Sequence, residues 1–118
     1  MISSAQNSAL SALKAFSTRV QSNSNNVANS LTDGFKKTRV TLSSKETGGV
    51  QAQIEKVNTP GSVVYQETSD GQQEVELSNV DIGQEFPEMS INSNLYQANL
   101  KTLQVADEMA GSLLKLKA

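Results

Sequence analysis

Acid–base chemistry in this chain would fall to its carboxylates. Glu85 and Glu88, one helical turn apart, and the neighbours Asp107 and Glu108 are the pairs that could act as general acid and base. There is no histidine and no cysteine. That removes imidazole triads, thiol nucleophiles, disulfides, and thiolate or imidazole zinc sites. Asp70, Glu74 and Glu76 cluster, but not at EF-hand spacing, and Gly71 is misplaced for such a loop. A hydrolase also needs a walled pocket. With 36% apolar residues, two tyrosines, three phenylalanines and no tryptophan, the chain has little to build one from. We therefore expect no enzyme: no catalytic residue, no metal and no cofactor.

The other available chemistry is amide recognition. The stretch NSNNVANSLTDGFKK, Asn23 to Lys37, places asparagines at 23, 25, 26 and 29. Asparagine is a mediocre helix former because its side chain competes for backbone hydrogen bonds. At packed positions, however, amides can satisfy each other across helices while excluding other registers. Asn26 and Asn29 are accompanied by Ala12, Ala15, Ser24 and Ala28, small residues unlike the lysines and glutamates of a wet face. This predicts a second buried face on the helix, used in repeated subunit contacts. The plainer alternative is a solvated, fraying helix end.

Two helices and a strand region must position these groups. Ile2, Ala9, Leu13, Phe16, Val20 and Val27 fall on three- and four-residue steps, with Gln6 and Asn23 on the same stripe. This spacing predicts a helix over about 3–31, capped by Ser3 or Ser4 and stopped by Gly34 in a left-handed conformation. Val40 and Leu42 then alternate with polar residues, as do Val50, Ala52 and Ile54, Val63 and Tyr65, and Val75 and Leu77. We expect a small antiparallel meander at about 50–56, 62–68 and 72–78. Asp70-Gly71 marks a hairpin, Asn58-Thr59-Pro60-Gly61 a type II turn, and Gly48-Gly49 a flexible joint. Asp81 and Gln84 form a capping-box pair opening a second helix. Its expected stripe is Ile82, Phe86, Met89, Ser93, Tyr96, Leu100 and Leu103, continuing to Ala106, Ala110, Leu113 and Leu114. Pro87 should kink its first turns.

The fold class is therefore α+β, with long terminal helices pairing as an antiparallel coiled coil around a small β meander. Residues 1–35 and 79–118 would form the helical core domain and 36–78 the β region. One stripe meeting one stripe is marginal, so burial of a further face is required. Net charge is −2, which draws the chain to neither nucleic acid nor membrane. Charge is nonetheless segregated. Six bases and the single acid Asp33 lie between Lys14 and Lys45, whereas seven acids and no base lie between Val57 and Leu100. Such segregation suits one end of a subunit meeting the opposite end of its neighbour. No apolar stretch approaches the ~20 residues of a membrane span. The N-terminal segment is too polar for a cleaved leader.

The motif NNVANSLTDGFKK closely resembles the N-terminal signature of the bacterial flagellar rod and hook axial proteins, through Asn25, Asn26, Val27, Ala28, Asn29, Thr32, Gly34, Phe35 and Lys36. The stretches SNVDIGQEF and YQANLKTLQVADEM resemble that family's C-terminal signature, through Ser78, Asn79, Val80, Asp81, Glu85, Tyr96, Gln97, Ala98, Asn99, Lys101 and Met109. The resemblance implies a short proximal rod subunit of the basal body, exported unfolded by the flagellar type III apparatus without a cleaved leader. Its partners would be copies of itself, other rod and hook proteins, and the export apparatus. Its terminal helices would stack into a helical tube, with the signature residues at subunit interfaces. A soluble coiled-coil adaptor or chaperone-like partner of the same export system is the alternative.

Overall fold

The computed structural model describes residues 4–117. Helix α1 spans Ser4–Ala28, followed by strands β1 (Thr38–Ser44), β2 (Val50–Lys56), β3 (Val63–Thr68) and β4 (Gly71–Glu76), and helix α2 spans Ile82–Lys117. The α+β class with long terminal helices is as expected. Ser4 is already helical, and Ser3 and Ile2 lie outside the described residues.

The helices run antiparallel. Gln6, near the start of α1, donates a 2.7 Å hydrogen bond to Asp107 near the end of α2. Asn23, near the end of α1, meets Glu85 and Asn92 near the start of α2. At ~1.5 Å per residue, the 36 residues of α2 reach about 54 Å and outrun the 25 residues of α1. The molecule is correspondingly elongated, 81 × 25 × 18 Å. No helix is long and apolar enough to cross a membrane, among the described residues.

The strands form two separate hairpins rather than one three-stranded meander. Thr38–Ser44, outside the expected meander, pairs antiparallel with Val50–Lys56 in register Thr38↔Lys56 to Ser44↔Val50. Gly48-Gly49 is the turn of this hairpin, not a loose joint. The Lys45 N–H donates to the Gly49 carbonyl at 3.0 Å, and both glycines take positive φ. That turn docks on α1, where the Val50 N–H donates to Ser11 Oγ at 3.1 Å. A Cβ on Gly49 would lie 2.4 Å from the same oxygen, so only glycine permits the approach.

Strands β3 and β4 form the second hairpin, turning at Ser69-Asp70, with Gly71 alone taking positive φ. Gly61 is not the left-handed residue of a type II turn. It is required for another reason: its Cβ would sit 2.0 Å from the Leu77 carbonyl oxygen.

Among the described residues the buried apolar core is small: Ala9, Leu13 and Ala15 of α1 and Val40 of β1. Pro87 does not delay α2. Asp81 caps the helix, accepting from the Gly83 N–H on its side chain at 3.0 Å and from the Gln84 and Glu85 N–H groups on its carbonyl. That start is set by Asp81 and by the anchoring of Glu85, so the donor missing at Pro87 falls after the first turn is already held.

Candidate subunit-assembly site

The two amide-rich signatures meet inside the chain. Asn26 is 1% exposed, the most buried side chain described. Its Nδ2 donates to the Thr38 carbonyl at 2.9 Å and to Glu85 Oε1 at 3.1 Å, and its Oδ1 accepts from the Thr38 N–H at 2.9 Å. One side chain therefore joins α1, β1 and α2. Beside it, Asn23 Nδ2 donates to Glu85 Oε2 at 2.7 Å, and Asn23 Oδ1 accepts from Asn92 Nδ2 at 3.0 Å. Glu85, Asn92 and Asn23 are all buried. A buried carboxylate is costly unless its oxygens are occupied; here two amides from α1 occupy both.

This polar cluster rotates α2 away from the expected stripe. The buried and half-buried seam of α2 carries Glu85, Met89, Asn92, Ser93, Asn99, Leu103, Ala106, Ala110 and Gly111. Met89, Ser93, Leu103, Ala106 and Ala110 belong to the expected stripe, whereas Tyr96 is exposed. Phe86 and Leu100 do not enter the seam and remain 50% and 49% exposed. Glu85 and Asn92 take the seam positions next to Phe86 and Ser93, because their acceptors and donors match those of Asn23 and Asn26. Of the carboxylates that could have paired for catalysis, Glu85, Glu88 and Asp107 are engaged with α1 amides, and Glu108 is exposed. Glu88 lies 3.5 Å from Asn23 Nδ2, and Asp107 accepts from Gln6.

A second junction joins the end of the first signature to the start of the second. Asn79 Oδ1 accepts from the Lys37 N–H at 2.7 Å, and its Nδ2 donates to the Val57 and Thr59 carbonyls at 2.8 and 2.9 Å. The Gly34 N–H donates to the Glu76 carbonyl at 2.8 Å, and the Asn79 N–H donates to the Phe35 carbonyl at 3.3 Å. Gly34 has φ near 70°, as expected, but α1 ends at Ala28 and the intervening residues form turns. Lys36 pairs with Glu76. The Lys36 ammonium, followed by the Gly61 N–H, holds the Glu76 carboxyl below the usual carboxylate range. Asn79 belongs to the C-terminal signature, whereas Asn92 and Glu76 lie outside both signatures; their partners are remote in the chain, so no local pattern marks those two.

The remaining signature residues stay closer to the surface. Asn29 Nδ2 bonds back to the Asn25 carbonyl at 2.9 Å, and Thr32 Oγ1 donates to Asn29 Oδ1 at 3.1 Å, closing the end of α1. Val27 is half-buried and Val80 likewise, whereas Ser78 Oγ accepts from the Val80 N–H. Asn25, Ala28, Thr32, Gln97, Ala98 and Lys101 are exposed, and Asn99 Nδ2 bonds to the Leu95 carbonyl. Of the small-residue face expected for subunit contacts, Asn26 and Ala15 are buried within the chain itself, while Ser24 and Ala28 face outward.

Two family models match the sequence. "Flagella basal body rod protein" covers residues 7–36, and "Flagellar basal body rod FlgEFG protein C-terminal" covers residues 72–116. No curated protein matches the chain. The first match contains α1 and its polar anchors, the second contains β4, Asn79 and α2, and each ends or begins where the two halves are stitched together. The chain belongs to the flagellar basal-body rod family and is a structural component of that rod.

Proposed function

We propose that this subunit polymerises through its terminal helices into the helical tube of the rod, alongside copies of itself and other rod and hook axial proteins. The reading rests on one observation above all. Turning α2 to satisfy Glu85 and Asn92 leaves a second stripe in solvent. Ile91, Leu95, Ala98, Thr102, Val105, Met109 and Leu116 recur at three- or four-residue steps, apart from the interval before Leu116, and all are exposed. Ile91, Met109 and Leu116 are 58%, 63% and 83% exposed. Such a repeat on an exposed helix is the seam of a coiled coil whose partner lies in another molecule.

The outward signature residues Asn25, Ala28, Thr32, Gln97, Ala98 and Lys101 flank that contact. Residues 1–35 and 79–118 then act as the axial core, with 36–78 as a β region outside it. Export as an unfolded chain by the flagellar apparatus accords with the small core and the absence of cysteine. A head-to-tail contact that does not close gives an open filament.

The test is a Leu95→Glu/Val105→Glu double variant. Both positions are exposed, so circular dichroism should keep its helix signal. Cells carrying it should fail to assemble a rod or swim. Normal swimming with wild-type expression would refute the reading.

A further inference from the structure

The hairpin β3–β4 is held only at its base, through Glu76. Its strands contact neither helix and neither strand of the first hairpin. An isolated two-stranded hairpin is marginal in water, and this one also exposes Val63, Val64 and Tyr65 at 47%, 36% and 70%. Directly opposed residues of an antiparallel pair share a face. Tyr65 pairs with Glu74, and Glu67 pairs with Gln72. One face of the hairpin therefore presents a tyrosine flanked by Glu67 and Glu74. At ~3.3 Å per residue its six-residue strands extend about 20 Å from the junction.

A complementary surface lies elsewhere on the molecule. A groove of about 560 Å³ runs between α1, β1 and the start of α2. Arg19, Lys37 and Arg39 line it. Arg19 and Lys37 have no ion-pair partner among the described residues; Arg39 pairs with Glu55 at 3.2 Å on the exposed surface. The Arg19 Nε is buried without a hydrogen-bond acceptor. Glu85 and Glu88 lie on the α2 wall, both within reach of the Asn23 amide. The cations lie on the α1–β1 side, and Arg19 and Lys37 form no ion pair with either carboxylate.

We propose that the acidic face of β3–β4, Tyr65 with Glu67 and Glu74, docks into the groove lined by Arg19, Lys37 and Arg39 on a second copy of this chain. The occupant is a copy of the chain because the charges are reciprocal: its acidic hairpin lacks bases and its groove carries the cations. Arginine also stacks on tyrosine and forms charge-assisted hydrogen bonds to carboxylates. The contact is heterologous, since hairpin and groove are different surfaces, so it propagates rather than closing a pair. It rests on the assembly reading above and meets the α2 stripe only at Ile91, which lines the groove.

The chain has no cysteine, so introduced thiols are unique. Lys37→Cys protein is mixed with Glu67→Cys protein at a concentration where the wild-type chain self-associates by sedimentation, then oxidised. The expected product is the mixed disulfide dimer, in excess over either homodimer. Its yield should fall roughly tenfold between low and high salt, because exposed charges are screened. Glu74→Lys in the hairpin partner should cut the yield as well, and combining it with Arg39→Glu in the groove partner should restore it.

Self-association without the mixed dimer, or a yield insensitive to salt and to charge reversal, would overturn the inference while leaving the α2 contact in place. Absence of self-association at any concentration would also overturn it. Failure of the assembly reading appears separately, as normal swimming by the Leu95→Glu/Val105→Glu cells.

Discussion

Replacing Asn26 with aspartate probes the polar joint with almost no change of shape. The aspartate keeps an oxygen for the Thr38 N–H, now donated to Asn26 Oδ1 at 2.9 Å. It loses the two donations to the Thr38 carbonyl and Glu85 Oε1. A buried group left without its partner costs about 1–3 kcal/mol, so the two stranded acceptors cost about 2–6 kcal/mol. That is a large share of the ~5–15 kcal/mol that holds a domain together. A second carboxylate 3.1 Å from Glu85 Oε1 adds repulsion, which the site relieves by retaining a proton. The folded-state pKa of the new aspartate is thus raised above its unfolded value. Its contribution is fully present below the unfolded pKa and is lost as pH rises through the folded pKa. Urea unfolding followed by helix circular dichroism should show the variant weaker than wild type at pH 7, with the gap narrowing toward pH 5. A variant within about 0.5 kcal/mol of wild type at pH 7, or one whose deficit does not change with pH, would refute the claim that Asn26 holds the three elements together.

Three further outcomes follow from the same geometry. Asn79→Ala strands the Lys37 N–H and the Val57 and Thr59 carbonyls; at about 1 kcal/mol or more per group, it should lower stability by about 2–4 kcal/mol and speed amide exchange at Lys37. Gly61→Ala drives a Cβ into the Leu77 backbone and should cost about 1–3 kcal/mol, whereas Gly111→Ala meets open space and should add about 0.5–1 kcal/mol to α2; equal effects by thermal unfolding would contradict both placements. The depressed pKa of Glu76 means that its pairing with Lys36 contributes above the ordinary value of 4.5 and is lost as pH falls through the lower folded value. Amide protection at the base of β3–β4, taken relative to the intrinsic exchange rate at each pH, should therefore fall in acid, lose that fall in Glu76→Gln, and stay level between pH 6 and 8.

Local patterns carried much of the fold. Three- and four-residue steps disclosed both helices, period two disclosed β2, β3 and β4 and the alternation of Val40 and Leu42 in β1, and Asp81 disclosed the start of α2, because each depends on neighbours within a turn or two of the chain. The resemblance of the two end motifs to the rod family came from the same legible residues. Which strands pair was not local. Thr38–Ser44 could have joined any edge, and its pairing with Val50–Lys56 follows from a Gly48-Gly49 turn that only α1 makes necessary. The rotation of α2 was also hidden, because an apolar stripe through Phe86 and Leu100 looks like a seam until Asn23 and Asn26 are placed opposite Glu85 and Asn92. Sequence determined the elements and the chemistry they carry. Tertiary structure decided which face of each element turns inward, since a buried carboxylate must find its amides before a leucine need find another leucine.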